Sequence, residues 1–364
     1  MKQDLAGPAL SAENLSVVYA DRRVLHIPAL SVNVSQVTGI IGPNGSGKTT
    51  LLLCLALLLK PTTGSISFGG KIVSGGTPAR HTRRRFAVVF QEPLLLNTTV
   101  WENVAMGMRL RGLAKSEIDK RAAHWLERFG IGALASRNAR TLSGGEAQRT
   151  SLARAFVLEP EVLFLDEPFA ALDAPTRQSL FGDMINILKE TRFTTVLVTH
   201  DRNEAQTLAD QIVMLLNGRI AQQGSPREVF STPASEEIAR FVGMENILEG
   251  TVKTSRDCIV DIGVADQVIE GVSSCQSGST VRVFIRPEDV TVSLSRPSGS
   301  ARNVFAGRII SFIPAGPLVR LNLECGFPLI ALITRMSFDE LKLEVGKPLF
   351  ASFKATAIHV IAVK

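Results

Sequence analysis

Gly42 to Thr50 reads GPNGSGKTT: a glycine, four residues, then Gly-Lys-Thr, the spacing of a loop that holds phosphate. Gly42, Gly45 and Gly47 let the backbone curl so that N–H groups converge on an anion, and a following helix adds about half a positive charge. The whole run (Gly42, Pro43, Asn44, Gly45, Ser46, Gly47, Lys48, Thr49, Thr50) is a candidate ATP site, with Lys48 set to neutralise the terminal phosphates. Thr49 offers a hydroxyl to Mg²⁺, a hard cation that travels with nucleotide phosphates. Far along the chain, Asp166-Glu167 closes the apolar run Val162–Leu165. Side chains alternate along a strand, so two adjacent carboxylates cannot point the same way. Asp166 is then the residue for Mg²⁺ through water, and Glu167 the one that orients or polarises an attacking water.

Further polar groups fall at strand tips. Gln91 follows Phe86–Phe90, where a neutral amide can reach a metal or water beside a nucleotide, because ligands of open α/β sheets sit at that end. His200 follows Thr194–Thr199 and is a candidate γ-phosphate contact, with a purely structural histidine as the bland alternative. Tyr19, the one tyrosine, would either stack on an adenine or close a strand in the core. Leu142-Ser143-Gly144-Gly145-Glu146 opens a helix with small residues and is a second anion-binding turn, unless it is simply an N-cap. The first loop already holds one nucleotide, so a second such turn most usefully meets the γ-phosphate bound by another copy. A head-to-tail dimer closed by ATP is thereby expected, with Asp173 of Ala171-Leu172-Asp173 placed to pass information across it.

The elements that must position these groups are legible as well. Asn14–Tyr19, Val24–Ile27 and Leu30–Val34 have the alternation of antiparallel strands, and Val37–Ile41 is a buried strand before a helix over Lys48–Leu59. Ser65–Phe68 reads as a further strand; Val100–Arg111 and Ser116–Phe129 read as an inserted helical pair, the second capped by Ser116 and closed by Gly130. Ala147–Leu158 continues as a helix.

Composition sets the frame. With 364 residues, 45% hydrophobic and 20% charged, the chain has room for two or three globular domains. The stretch Met1–Leu15 carries no signal-peptide core, and the longest apolar run, Leu51–Leu59, is too short to span a membrane, so a cytoplasmic location is expected. Cys54, Cys258, Cys275 and Cys325 are widely spaced and read as small hydrophobes in a reducing compartment. Arg80–Arg85 is the densest basic piece, but no aromatic residues interleave a basic stripe, so no nucleic-acid partner is expected.

Taken in order, these motifs resemble the ATPase subunits of ATP-binding cassette (ABC) importers: GPNGSGKTT the Walker A, Gln91 the Q-loop, LSGGE the signature, VLFLDE the Walker B with its catalytic glutamate, ALD the D-loop, and His200 the switch histidine. The likeness covers about the first 240 residues. It implies an α/β P-loop nucleotide-binding domain with an antiparallel β subdomain and a helical insertion. It also implies a homodimer in which Ser143, Gly144, Gly145 and Glu146 of one copy complete the ATP site of the other, catalysis resting on Glu167 with His200 and Gln91. Mg²⁺ would lie among Thr49, Gln91 and Asp166, separate integral-membrane permease subunits would carry the pathway, and an extracytoplasmic solute-binding protein would take part indirectly. Such a subunit sits on the cytoplasmic face of the membrane.

Beyond about Ser231 the pattern changes to short strands between Gly, Ser and Pro turns, an all-β, OB-like region. Asn246–Val252 echoes Asn303–Ile309, and Ile285-Arg286 with Val290 and Val292 echoes Phe353-Lys354 with Ile358 and Val360, as two related modules would. The divisions expected are 1–235, 236–299 and 300–364. Ser300-Ala301-Arg302-Asn303, Thr334 with Ser337, and Lys354-Ala355-Thr356 resemble the motifs of molbindin-type domains. That resemblance implies that Ser300, Arg302, Asn303, Thr334, Ser337, Lys354 and Thr356 contact molybdate or tungstate, often between subunits. The first module departs from it, with Ile285-Arg286-Pro287 where the second has Phe353-Lys354-Ala355. The stretch after Gln91, EPLLLNTTV, also lacks the Phe-Pro-His of many relatives. The leading expectation is the ATPase of a molybdate or tungstate importer whose C-terminal module senses oxyanion. The alternatives are an importer for sulfate, iron or a polyamine with a merely architectural β region, and a soluble ABC regulatory ATPase working on ribosomes or DNA.

Overall fold

A computed structural model describes residues 7–73 and 76–363. Met1–Ala6, where part of the signal-peptide reading falls, and Lys364, the last residue of the expected third module, lie outside them. The chain forms two units, divided after Val229, six residues before the boundary expected from sequence.

In the first unit, β1 (Leu10–Tyr19) and β2 (Arg22–Val32) form a hairpin. The sequence reads β2 as two strands because Pro28 interrupts it. The strand nevertheless runs through, since β2 is an edge of its sheet, where a proline is tolerated; Asn14, opposite Pro28 in the register, sits at φ 49. After β3 (Val37–Ile41) comes α1 (Lys48–Leu55), shorter than the expected Lys48–Leu59 because Leu57 turns to φ 60. The hairpin is joined by β4 (Thr63–Phe68) and β5 (Lys71–Ile72) in the order β2-β1-β4-β5.

Next come α2 (Gly76–Arg83), β6 (Phe86–Val89), α3 (Val100–Leu110) and α4 (Lys115–Arg128). Ser116 does not cap α4; the N-cap is Ala114, two residues earlier. Then follow α5 (Gly144–Phe156), β7 (Val162–Asp166), α6 (Ala174–Thr191), β8 (Thr194–Val198), α7 (Arg202–Leu208), β9 (Gln211–Leu216) and β10 (Arg219–Gly224). A six-stranded sheet runs β10-β9-β3-β8-β7-β6, parallel across β9-β3-β8-β7-β6. Strands β3, β7 and β8 are buried along their whole length, as a sheet covered on both faces requires. Their C-terminal ends place Gly42, Glu167 and the Thr199-His200 pair along one edge.

The helix α8 (Pro226–Ser231) spans the divide and α9 (Glu236–Phe241) opens the second unit. The strands that follow are β11 (Asn246–Arg256), β12 (Ile259–Val264), β13 (Gln267–Val272), β14 (Thr280–Ile285), β15 (Thr291–Ser293), β16 (Asn303–Ala315), β17 (Leu318–Glu324) and β18 (Pro328–Thr334). After them come α10 (Arg335–Glu340), β19 (Pro348–Phe353) and β20 (Ile358–Ala362). Two five-stranded sheets result, β13-β12-β11-β14-β20 and β15-β19-β16-β17-β18.

The two modules are therefore not consecutive pieces cut at 299/300. Each gives its last strand to the other: β15 pairs with β19 (Val292↔Ala351) and β20 pairs with β14 (Val283↔Val360). A single hydrophobic core, from Leu248 and Val283 to Phe305, Leu321 and Ile358, runs through both sheets.

Candidate functional site

The loop after β3 has the geometry its glycines predict. Gly42, Gly45 and Gly47 all have positive φ (153, 78 and 98), and a Cβ on Gly42 would stand 2.1 Å from the Leu215 carbonyl oxygen. Inside the loop Lys48 is buried, its Nζ donating to the carbonyls of Gly42 and Pro43, each at 3.0 Å. Burial pushes the Lys48 ammonium below its ordinary value, while Glu167 and then Asp166 oppose that shift. Ser46 Oγ is buried with no hydrogen-bond partner, an orphan polar atom within the loop. A buried cation, a helix start and an unused hydroxyl around one loop fit an anionic phosphate chain.

Thr49 Oγ1 donates to Asp166 Oδ1 at 3.2 Å, joining the start of α1 to the end of β7. Asp166 is buried, and desolvation pushes its carboxyl up against the opposing Thr49 hydrogen bond. A hydroxyl and a carboxylate side by side are the oxygen donors a Mg²⁺ accompanying nucleotide would use, and the pair fits that ion. Glu167 sits at φ 46, its N–H held by Val198 O at 2.9 Å. From this left-handed turn its carboxylate reaches His200 beyond the end of β8, with Oε2 3.0 Å from Nδ1.

The flanks of His200 are fixed from behind. Arg177 of α6 donates to both Asp201 and Glu204 at 2.6 Å, and Glu204 takes the Thr199 hydroxyl at 2.5 Å. Arg177 and Glu204 carry no signal in a single sequence, since each is defined only by the other's position. Gln91 is exposed just past β6, and Tyr19 is half exposed at 50%, so Tyr19 is not a core residue.

Ser143 is the N-cap of α5 in a full capping box: its Oγ accepts from Glu146 N and Glu146 Oε2 accepts from Ser143 N at 2.7 Å. The cap reading therefore holds; Gly145 packs closely on Thr176, where a Cβ would stand 2.4 Å from Cγ2, and the anion reading of the turn belongs to the proposal below. Asp173 likewise caps α6, accepting from Thr176 N at 3.1 Å. Among the described residues there is no cluster of three or more His, Cys, Asp or Glu able to hold a metal, and no helix is long and apolar enough to cross a membrane.

In the second unit the polar residues singled out by sequence separate. Asn303 is 2% exposed, and its amide is spent on Glu270 of β13, accepting from its N–H and donating to its C=O at 2.8 Å each. Buried and paired in this way, Asn303 serves the β unit's own backbone instead of facing solvent. Its counterpart Asn246 makes the matching clasp on Ile330 of β18, at 2.6 and 3.0 Å. Arg302 and Lys354 flank the pair Asn303↔Phe353 and are exposed together, with Ser300 and Thr356 close by in the chain. Thr334 and Ser337 bond each other at 2.9 Å at the start of α10. Through the pairs Leu318↔Thr334 and Ala315↔Leu318 they belong to the opposite end of β16. One chain does not bring the two sets together. In the first module, Arg286 stands where the second has Lys354, and its guanidinium is used by the carbonyls of Val242 and Phe230.

Comparison with known proteins decides the family. An ABC transporter profile matches residues 25–170 and a TOBE domain profile residues 299–360. The chain is 41% identical over 353 residues to a molybdate/tungstate import ATP-binding protein of Pyrococcus horikoshii, covering 96% of this chain and 99% of that one. The chain belongs to the ATP-binding subunits of ABC importers. It is an ATP-binding, ATP-hydrolysing protein of the ABC type with a C-terminal TOBE domain. A sulfate/thiosulfate import ATP-binding protein of Thermosynechococcus vestitus is 36% identical over 345 residues, 94% of this chain and 95% of that one. Among solved structures, the ATP-binding cassette MJ0796, a dimer in a post-hydrolysis state with ADP and Pi, matches at TM-score 0.55 and 27% identity, over 60% of this chain and 99% of that one.

Proposed function

We propose that this ATPase drives import of molybdate or tungstate as a homodimer bound to integral-membrane permease subunits on the cytoplasmic face, fed by an extracytoplasmic binding protein. The observation that carries the reading is the convergence of Lys48, Thr49, Asp166, Glu167 and His200 on one sheet edge. The likeness to the Pyrococcus protein, which extends over the C-terminal unit, supports the substrate class.

When ATP enters, Lys48 exchanges the Gly42 and Pro43 carbonyls for phosphate oxygens, a stronger partner for an ammonium. Thr49, Asp166 and Gln91 would hold a Mg²⁺ accompanying the nucleotide, and that ion would supply charge neutralisation on those oxygens. Ser143 and Gly145 of the second copy cover the γ-phosphate, and water is shut out. Glu167 takes the proton of the attacking water as the terminal phosphoryl leaves ADP, while His200 holds that carboxylate and the γ-phosphate in line. Loss of the γ-phosphate removes what joins the two copies, and the dimer opens.

In the second unit, Ser300, Arg302, Lys354 and Thr356 form one half of an oxyanion site and Thr334 with Ser337 the other. Since they lie at opposite ends of β16, a complete site takes its halves from two chains, and a bound dianion holds the β units together in a way that restrains hydrolysis. The sulfate-importer relative makes sulfate the competing ligand. Calorimetry of the full-length protein decides: molybdate or tungstate bound at least about tenfold tighter than sulfate supports the reading, and equal or absent binding overturns its substrate half.

A further inference from the structure

Helix α5 does more than present the Ser143 turn. One and a half turns in, Gln148 is 3% exposed and its Nε2 donates to the carbonyl of Pro168 at 2.8 Å. Proline has no N–H, so that carbonyl is the one polar backbone group Pro168 owns, and Pro168 is bonded directly to Glu167. The orientation of the amide is fixed, since a carbonyl accepts only from the NH₂ side. Gln148 Oε1 is left buried without a partner. An unpaired buried acceptor is destabilising, so packing alone would favour a methionine or leucine here. What the amide adds is a rigid tie between the helix that starts at Ser143 and the left-handed turn that aims Glu167.

Resting on the dimer reading above, that tie has a direction. The Ser143 turn of one copy meets the nucleotide bound by its partner, whereas the Glu167 of the same copy acts on its own nucleotide. We propose that Gln148 is a positioning residue that couples the two nucleotide sites. Closure of the Ser143 turn on the partner's γ-phosphate shifts α5 as a rigid body, and Gln148 draws Pro168 and hence Glu167 into line. Each copy thus hydrolyses efficiently only when the other site is filled.

Gln148→Met keeps volume and removes both the bond and the orphan acceptor. The full-length variant is expected to melt within a few degrees of the parent. In a Glu167→Gln background it is expected to dimerise with ATP and Mg²⁺ at an unchanged midpoint. Its kcat should fall about tenfold with KM little altered, and its Hill coefficient for ATP from about two to about one. A parental kcat and Hill coefficient in a normally dimerising variant overturn the coupling alone. If Glu167→Gln itself stays monomeric with ATP and Mg²⁺, the dimer reading falls, and the coupling with it.

Mixed dimers guard against misfolding of the variant. Traces of Gln148→Met protein in excess Glu167→Gln should be slow, because the only active Glu167 lacks its tie. Traces of parent protein in excess of the Glu167→Gln, Gln148→Met double variant should match parent in Glu167→Gln. Equal slowing in both mixtures overturns the proposal, as a general packing defect would produce it.

Discussion

His200 Nδ1 lies 3.0 Å from Glu167 Oε2, a contact between residues 33 apart in sequence that joins the tips of adjacent parallel strands. The histidine is thus bound to the carboxylate before any nucleotide arrives. Glu167→Gln is expected to reduce phosphate release by at least about a hundredfold while leaving ATP binding intact, and to accumulate dimer in size-exclusion chromatography with ATP and Mg²⁺. His200→Ala should lose activity to a similar degree. Arg177→Ala, which frees the flanks of His200 without touching it, should lose less.

The loop glycines are not equivalent. A Cβ on Gly42 would meet the Leu215 carbonyl oxygen at 2.1 Å, whereas one on Gly45 finds open space and faces only the cost of φ 78. Gly45→Ala should therefore cost about 1–2 kcal/mol, the ordinary left-handed penalty. Gly42→Ala should cost about 3 kcal/mol or more, as strain and overpacking add. Thermal unfolding of the two variants without nucleotide checks the order.

Asn303 and Arg302 are neighbours with opposite employment. Asn303→Ala strands both backbone groups of Glu270 in the interior and should destabilise the β unit by about 2–4 kcal/mol. Arg302→Ala and Lys354→Ala should leave the melting midpoint close to that of the parent and weaken molybdate binding in calorimetry by about tenfold each. The reverse pattern would remove Arg302 and Lys354 from the proposed oxyanion site.

The cysteines should titrate and react by depth. Burial pushes the Cys54 thiol up to about 12, and burial with the Glu324 charge pushes Cys325 to about 11, from 9.0. Both folded values are raised, so the stability they contribute is present below pH 9 and is lost as pH rises through 11 to 12. Iodoacetamide at pH 8 should label exposed Cys258 first and half-buried Cys275 more slowly, with Cys54 and Cys325 modified only in denaturant. Peptide mass spectrometry reads the sequence of labelling.

The nucleotide motifs were legible because each is local: the glycines of the P-loop, the Asp166-Glu167 pair and the Ser-Gly-Gly turn each hold their chemistry within a few residues, and strand-tip placement follows from the parallel sheet. Residue order and hydrophobic periodicity also determined the α/β unit, the change to an all-β region and the repeat within it. Tertiary structure alone decided that β15 and β20 exchange modules, and that Asn303 clasps Glu270 instead of facing solvent. It alone decided, too, that Lys354 and Thr334 stand at opposite ends of β16. The physical reason is the same in each case: a buried amide or an edge strand takes whichever partner the closed core brings to it, and those partners lie tens of residues away, where no local spacing records them.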